Sequence, residues 1–182
     1  MMLAYHVITA TKSEVLTHAT MKYERFQFIS DLFYLRLNYF ESCQDMGTRP
    51  LPIVFVLNDY DYDTTDKKKV FKVADKLIEI GCDVNGYDEM GLTPLQMSLV
   101  PPGNPSVVEF LLQRGADPYK KAIDGSYTLL ETYSVKEYTG MNAFDLAQKE
   151  KTTLKNKANR KDSYKKVLQI IELLNASSRK EH

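Results

Sequence analysis

Between Phe26 and Phe40, apolar residues return every three or four positions along two lines. Phe26, Ile29, Phe33, Leu37 and Phe40 form one line, and Phe28, Leu32, Leu35 and Tyr39 the other. That spacing predicts a helix, and at about 100° per residue the two lines sit roughly 130° apart. Only a narrow polar face remains, made of Gln27, Ser30, Asp31, Asn38 and Glu41. A helix this apolar has to be covered on two sides. In one arrangement an earlier helix, about Lys12 to Met21, covers one line and the helices that follow cover the other; in the alternative a partner, or a second copy of the chain, lies on the outer line. Later in the chain the helical periodicity comes in pairs, a short apolar segment followed by a longer one. Val107, Val108, Phe110, Leu111 and Leu112 make the clearest of the longer faces.

The pairing is best defined from Gly91, where the sequence GLTPLQMSLVPPGNPSVVEFLLQRGADPY reads as a short helix, a Pro/Gly turn, a second helix and a Gly-ended cap. Thr93 can cap the first helix with its hydroxyl, and Pro94 is tolerated only because it falls in that helix's first turn. Gly115 can take the left-handed conformation that closes the second helix. This stretch of about 30 residues resembles one ankyrin repeat, with Gln96 where that family usually has His. A degraded copy lies upstream, where Gly81-Cys82-Asp83 aligns with Gly115-Ala116-Asp117 and the first helix falls at Pro50 to Val56. Another lies downstream, with Asn142-Ala143-Phe144 at the corner, Val167, Leu168, Ile170 and Ile171 in the second helix, and Asn175-Ala176 at the cap.

Both outer copies carry about ten extra residues between their helices, and a third excursion, Tyr119 to Gly140, lies between the second and third copies. The resemblance implies an all-α, ankyrin-like helical solenoid of about three irregular repeats. Residues 1–48 would form an N-terminal helical cap, 49–86 the first repeat, 87–119 the second and 120–178 the third with its insertions. An apolar outer line on such a cap is unusual, because solenoid ends normally show water a polar face.

Composition narrows the function classes. The 182 residues include 24 Lys plus Arg and 24 Asp plus Glu, with 43% apolar residues and 11% aromatics, enough to bury a core. A neutral sum argues against a generic binder of nucleic acid or membranes. The longest apolar run, around Ile53 to Leu57, is far short of the roughly 20 residues of a membrane span. The N-terminal Met1 to His6 lacks the basic lead and apolar segment of a secretory signal. Cys43 and Cys82 are too few for a stapled framework and are expected to be buried reduced thiols, which fits a cytoplasmic protein.

His6, His18 and His182 have no partner ligands at metal spacing, and no Gly-rich phosphate loop is present. No metal, no cofactor and no catalytic activity are therefore expected. Asp59, Asp61 and Asp63 alternate like the first ligands of a calcium loop, but the sixth position is Thr64 rather than Gly and the twelfth is Val70 rather than Glu.

The excursions are the candidate binding sites. The first alternates carboxylates with tyrosines, Asp59, Tyr60, Asp61, Tyr62, Asp63 and Asp66, and reads either as a recognition loop or as a solvated one. The second holds Tyr119, Tyr127, Tyr133 and Tyr138 around Leu129 and Leu130, with a turn signal at Ile123 to Tyr127 that suits a hairpin finger; its tyrosines either bind or pack along the third repeat. The third, Lys149 to Lys166, carries a charge of about +6 and reads as a solvated loop or a contact for an acidic protein. It lacks the aromatics and motifs of a nucleic-acid site.

A short chain with few irregular repeats and long loops is similar in architecture to bacterial ankyrin-repeat immunity proteins, which bind and neutralise a partner toxin. That resemblance implies a non-catalytic module for one protein partner, a toxin, acting as a monomer or weak homodimer. The alternative is a regulatory adaptor or host-directed effector that uses the same surface on a cellular protein.

Overall fold

The computed structural model describes residues 7–40, 43, 51–100, 103–125, 137–155 and 157–179. Among them the regular elements are all helical, and extended pairing is limited to one isolated antiparallel bridge between Met21 and Thr65. The chain divides into two compact units, Met1–Asp83 and Val84–His182.

The first unit contains α1 (Lys12–Thr20), α2 (Phe28–Arg36) continued by a 3-10 turn at Leu37–Tyr39, α3 (Pro52–Asn58) continued by a 3-10 turn at Asp59–Asp61, and α4 (Lys67–Glu79). Helix α1 begins where Thr11 and Glu14 close a capping box, the Glu14 carboxylate accepting from the Thr11 N–H at 2.7 Å. Helix α3 begins at Pro52, two residues after the expected start at Pro50, which lies outside the described residues. Its apolar run, Ile53, Val54, Val56 and Leu57, packs on α4, and α4 also packs on α1. Val15, Leu16, Phe33, Leu37, Ile53, Val70, Val73 and Leu77 form this unit's core.

Helix α2 departs from the covered-on-both-sides arrangement. Its inner line is buried at Phe33, Leu37 and Phe40, but Phe28, Leu32, Leu35 and Tyr39 face solvent, as does Phe26. The physical reason is that α1 and α4 press on the same side of α2. Helix α1 packs along it, and from α4 Lys69 bonds Ser30 and Asp31 while Lys72 lies 4.5 Å from the Tyr34 ring centre.

The reduced thiols expected at Cys43 and Cys82 are joined in a disulfide, their Cα atoms 4.9 Å apart. Gly81, with φ of 93°, turns the chain out of α4, and the buried Cys82 that follows comes within bridging distance of Cys43. The two cysteines stand 39 positions apart in a sequence that carries no signal of that approach.

The second unit contains α5 (Pro94–Met97), α6 (Pro105–Gln113), α7 (Ala143–Lys155) and α8 (Lys161–Ser178). Helix α5 packs on α6 and α7 on α8, while α5 also touches α7 and α6 touches α8. Like therefore stacks on like across two successive helix pairs. Thr93 and Gln96 close a capping box around Pro94, and Asn142 and Asp145 do the same at α7, each side chain accepting from the other's backbone N–H at 3.0–3.1 Å. Gln96 is buried with its polar atoms engaged. Its Oε1 accepts from the Thr93 N–H at 2.8 Å, and its Nε2 donates to the carbonyls of Lys120 and Met141 at 2.8 and 3.1 Å.

Two expectations for the last helix pair are corrected. The excursion Lys149 to Lys166 is not a loop: α7 runs to Lys155 and α8 starts at Lys161, with a 3-10 turn at Ala158–Arg160 between them. Asn175 does not cap α8, which continues to Ser178. Leu92, Leu95, Val108, Leu111, Leu146, Leu154, Ile170 and Leu174 form the core of this unit.

Candidate protein-binding surfaces

In the first unit the acidic excursion is a short, well-anchored turn. The Lys22 N–H donates to the Thr64 carbonyl at 2.7 Å and the Asp66 N–H to the Thr20 carbonyl at 2.8 Å, which ties the turn to the end of α1. The Thr65 hydroxyl donates to the Asp59 carbonyl at 2.6 Å and the Tyr62 carbonyl at 2.9 Å, closing it from within.

This framework divides the six candidate residues. Asp66 is the N-cap of α4, its Oδ1 accepting from the N–H groups of Lys68 and Lys69 at 2.9 and 3.3 Å. Tyr60 stacks on Phe71 with ring centres 4.8 Å apart and carries the Lys67 ammonium 5.0 Å from its ring centre, so it packs against α4. Asp59 is half-buried, and burial pushes its carboxyl above the usual carboxylate range. Asp61, Tyr62 and Asp63 are exposed, Tyr62 by 62%. The turn thus presents one aromatic ring flanked by two carboxylates on a backbone held at several points.

In the second unit two loops lie side by side. Asn85 bridges them, its Nδ2 donating to the Gly115 carbonyl at 3.0 Å and its Oδ1 accepting from the Asp117 N–H at 2.7 Å. The Tyr87 hydroxyl donates to the Lys121 carbonyl at 2.8 Å, and Lys120 lies over the Tyr87 ring at 4.4 Å. Sequence reasoning missed this set because its members are single polar residues between helices, with no periodicity to mark them. Asp88 belongs to the same region. Its Oδ1 accepts from the Met90 and Leu92 N–H groups at 2.9 Å, while Oδ2 is buried with no hydrogen-bond partner. Burial raises its pKa above the carboxylate range against the pull of those backbone N–H groups.

Of the four tyrosines in the second excursion, Tyr127 and Tyr133 lie outside the described residues, as do Leu129 and Leu130. Tyr119 is 48% exposed and leans on Phe144, their ring centres 5.3 Å apart. Tyr138 is buried beneath the Lys149 ammonium, which lies 4.6 Å from its ring centre and also pairs with Glu137 at 3.0 Å. Tyr119 is therefore presented to solvent and Tyr138 packs. Residues 126–136 of the expected hairpin finger lie outside the described residues; at its base Ala122 donates to the Met141 carbonyl and accepts from the Gly140 N–H, both at 2.8 Å.

The basic excursion becomes the tip of the α7–α8 pair, with Lys155, Lys157, Arg160, Lys161 and Lys165 exposed. Beneath it Glu150 is 5% exposed, with Oε2 buried and unpartnered. Burial raises its pKa, an effect eased by Lys149, reinforced by Glu137 and eased again by Lys157 and Arg160. A carboxyl whose folded pKa is raised contributes stability below its unfolded pKa, and loses it as pH climbs through the folded value. Glu150→Gln is therefore expected to raise unfolding free energy at pH 7 by roughly 1 kcal/mol, the low end of the cost of an unpaired buried polar group. The gain should vanish near pH 4, where the native glutamate is protonated; equal gains at both pH values in urea titrations would count against this account.

A shallow groove of about 430 Å³ lies between Pro105, Ser106 and Glu109 of α6 and Gln169, Glu172 and Leu173 of α8. Among the described residues no group of three or more His, Cys, Asp or Glu side chains could hold a metal ion, and no helix is long and apolar enough to cross a membrane. Of the three histidines, His18 stacks on Phe33 with ring centres 4.7 Å apart and shares a hydrogen bond with the Tyr23 hydroxyl; His6 and His182 lie outside the described residues. No protein-family model matches the chain, and no curated protein matches it in sequence.

Proposed function

We propose that this chain is a non-catalytic, ankyrin-like binding protein that recognises one protein partner, and that it acts as an immunity protein neutralising a toxin. The observation that carries the binding reading is the Asp61–Tyr62–Asp63 turn, an exposed aromatic between two carboxylates on a backbone tied to α1 and α4. The ankyrin-like reading is supported in the second unit by the stacking of α5 on α7 and α6 on α8, and by the capped Thr93-Pro94 corner. In this reading Tyr62 is the anchor, Asp61 and Asp63 steer a basic partner, and Tyr119 supplies a further aromatic contact. The partner's active site is occluded by the bound chain, with no reaction catalysed.

Co-expression with a toxin encoded by the neighbouring reading frame is expected to give a stable complex and restore growth. Tyr62→Ala should weaken that complex by about 2 kcal/mol, roughly thirty-fold in Kd, as for an interface anchor. Its own melting temperature should hold, since the ring is exposed. Tyr60→Ala, by contrast, should lower stability by about 1 kcal/mol through loss of the Phe71 stack. A toxin that remains lethal with no complex formed would sink the immunity reading, and unchanged affinity of Tyr62→Ala would remove the turn from the interface.

A further inference from the structure

The outer line of α2 has the pattern of a helix seam. Phe28, Leu32 and Leu35 follow one another at steps of four and three, successive d, a and d positions of a heptad, and Tyr39, in the 3-10 turn that continues α2, lies four residues further along the same line. They are 52%, 36%, 54% and 80% exposed. The opposite side of the helix, Ser30, Phe33, Leu37 and Phe40, falls at f and b positions and is buried within the unit. One helix therefore carries two separate apolar faces; among the described residues the inner is buried and the outer is exposed.

The charges beside the outer face say what fits it. In the same register Asp31 is a g position and Arg36 the e position five residues later. In a parallel two-stranded pairing, g of one helix meets the following e of the other, so Asp31 faces the second copy's Arg36 on both flanks. An antiparallel pairing that kept all four seam residues in contact would instead set g beside g and e beside e, placing Asp31 near Asn38 and Arg36 near Ile29 with no ion pair across the seam. The Asp31 side chain is 65% exposed, although one of its oxygens accepts from Lys69 at 2.7 Å, and Arg36 has its Nε buried with no hydrogen-bond partner. The face is thus self-complementary in apolar register and in charge.

We infer that α2 is the seam of a homodimer in which two copies pair in parallel along Phe28, Leu32, Leu35 and Tyr39, flanked by two Asp31–Arg36 ion pairs. Four side chains on a short helix bury well under the about 800 Å² per partner of a standard interface. The dimer is accordingly weak, with a Kd on the order of 0.1 mM. Because Tyr62 lies in the same unit as α2, the dimer carries two copies of the acidic turn.

Sedimentation equilibrium of the full chain from about 10 µM to about 1 mM reads this directly, spanning the Kd of a weak dimer. The average mass should climb from one chain towards two, and Leu35→Lys should hold it at one; Tyr39→Asp is a second stripe variant should the first misfold. Arg36→Glu and Asp31→Lys should each weaken association at least five-fold, since each places like charges at both flanks. Mixed together they should regain it, because the mixed pair restores opposite charges on both sides. A single-chain mass throughout the range overturns the proposal. So does association that survives Leu35→Lys, or folded charge variants that fail to associate when mixed.

Discussion

Reduction of the Cys43–Cys82 bond is expected to remove about 4 kcal/mol of stability, the loop-closure term for a cross-link spanning roughly 40 residues. Dithiothreitol, or the double substitution Cys43→Ser with Cys82→Ser, should lower the urea midpoint by roughly 2 M for a chain of this size. The segment between the two cysteines contains α3, the acidic turn and α4. When the link is opened, the denatured chain regains the freedom the cross-link denied it, while the native contacts of Ile53, Val70 and Leu77 remain available. The cost therefore falls on stability first. The partner binding proposed for Tyr62 should weaken in parallel as the unit frays. Superimposable urea curves with and without reductant would show that the bond contributes nothing. The bond also changes what the cysteines say about compartment: the cytoplasmic expectation drew on free thiols, whereas a structural disulfide persists under oxidising conditions.

Local chemistry was the part of the fold most legible in the sequence. Thr93-Pro94 announced a capped helix start, and Gly115, with φ of 83°, ends α6 in the expected left-handed conformation. Periodicity also found both faces of α2, yet it reports which residues are apolar and is silent on whether a neighbour reaches them. With α1 and α4 on one side, the outer face stays bare. The basic excursion was misread for a related reason. Leu146, Glu150 and Leu154 continue one buried line along α7, but a glutamate stands where the pattern needs an apolar residue, so the apolar period breaks after Ala147. Lys and Arg are good helix formers, and their density marked a solvated helix surface. In the acidic turn the alternation of Asp and Tyr was visible, but its division was not. Phe71 captures Tyr60 and the start of α4 captures Asp66, contacts set by where α4 begins.

Gly91→Ala is expected to cost about 3 kcal/mol or more, far beyond what a loop glycine usually carries, because two backbones meet there. A Cβ on Gly91 would stand 2.1 Å from the Ile123 carbonyl oxygen and 3.0 Å from the Gly125 nitrogen, and φ at Gly91 is +76°. The approach is reciprocal: a Cβ on Gly125 would stand 2.4 Å from the Met90 carbonyl carbon, and the Ile123 N–H donates to the Gly91 carbonyl at 3.0 Å. The left-handed φ alone costs an alanine about 1 kcal/mol. The overlap adds the roughly 1–3 kcal/mol of forcing matter into a filled space, and here the obstacle is main chain that no rotamer change can move. Gly115→Ala is the matched control: φ is +83° but no atom lies within 4 Å of the added carbon, so only the conformational part should be lost. If urea titrations give the two variants equal losses, the loops of the second unit do not touch at Gly91. A Gly91→Ala loss at least twice that of Gly115→Ala would establish that contact. Tyr119 lies on one of those loops, so Gly91→Ala should also reduce the binding proposed for that tyrosine, while Gly115→Ala leaves the loop contact, and any binding that depends on it, intact.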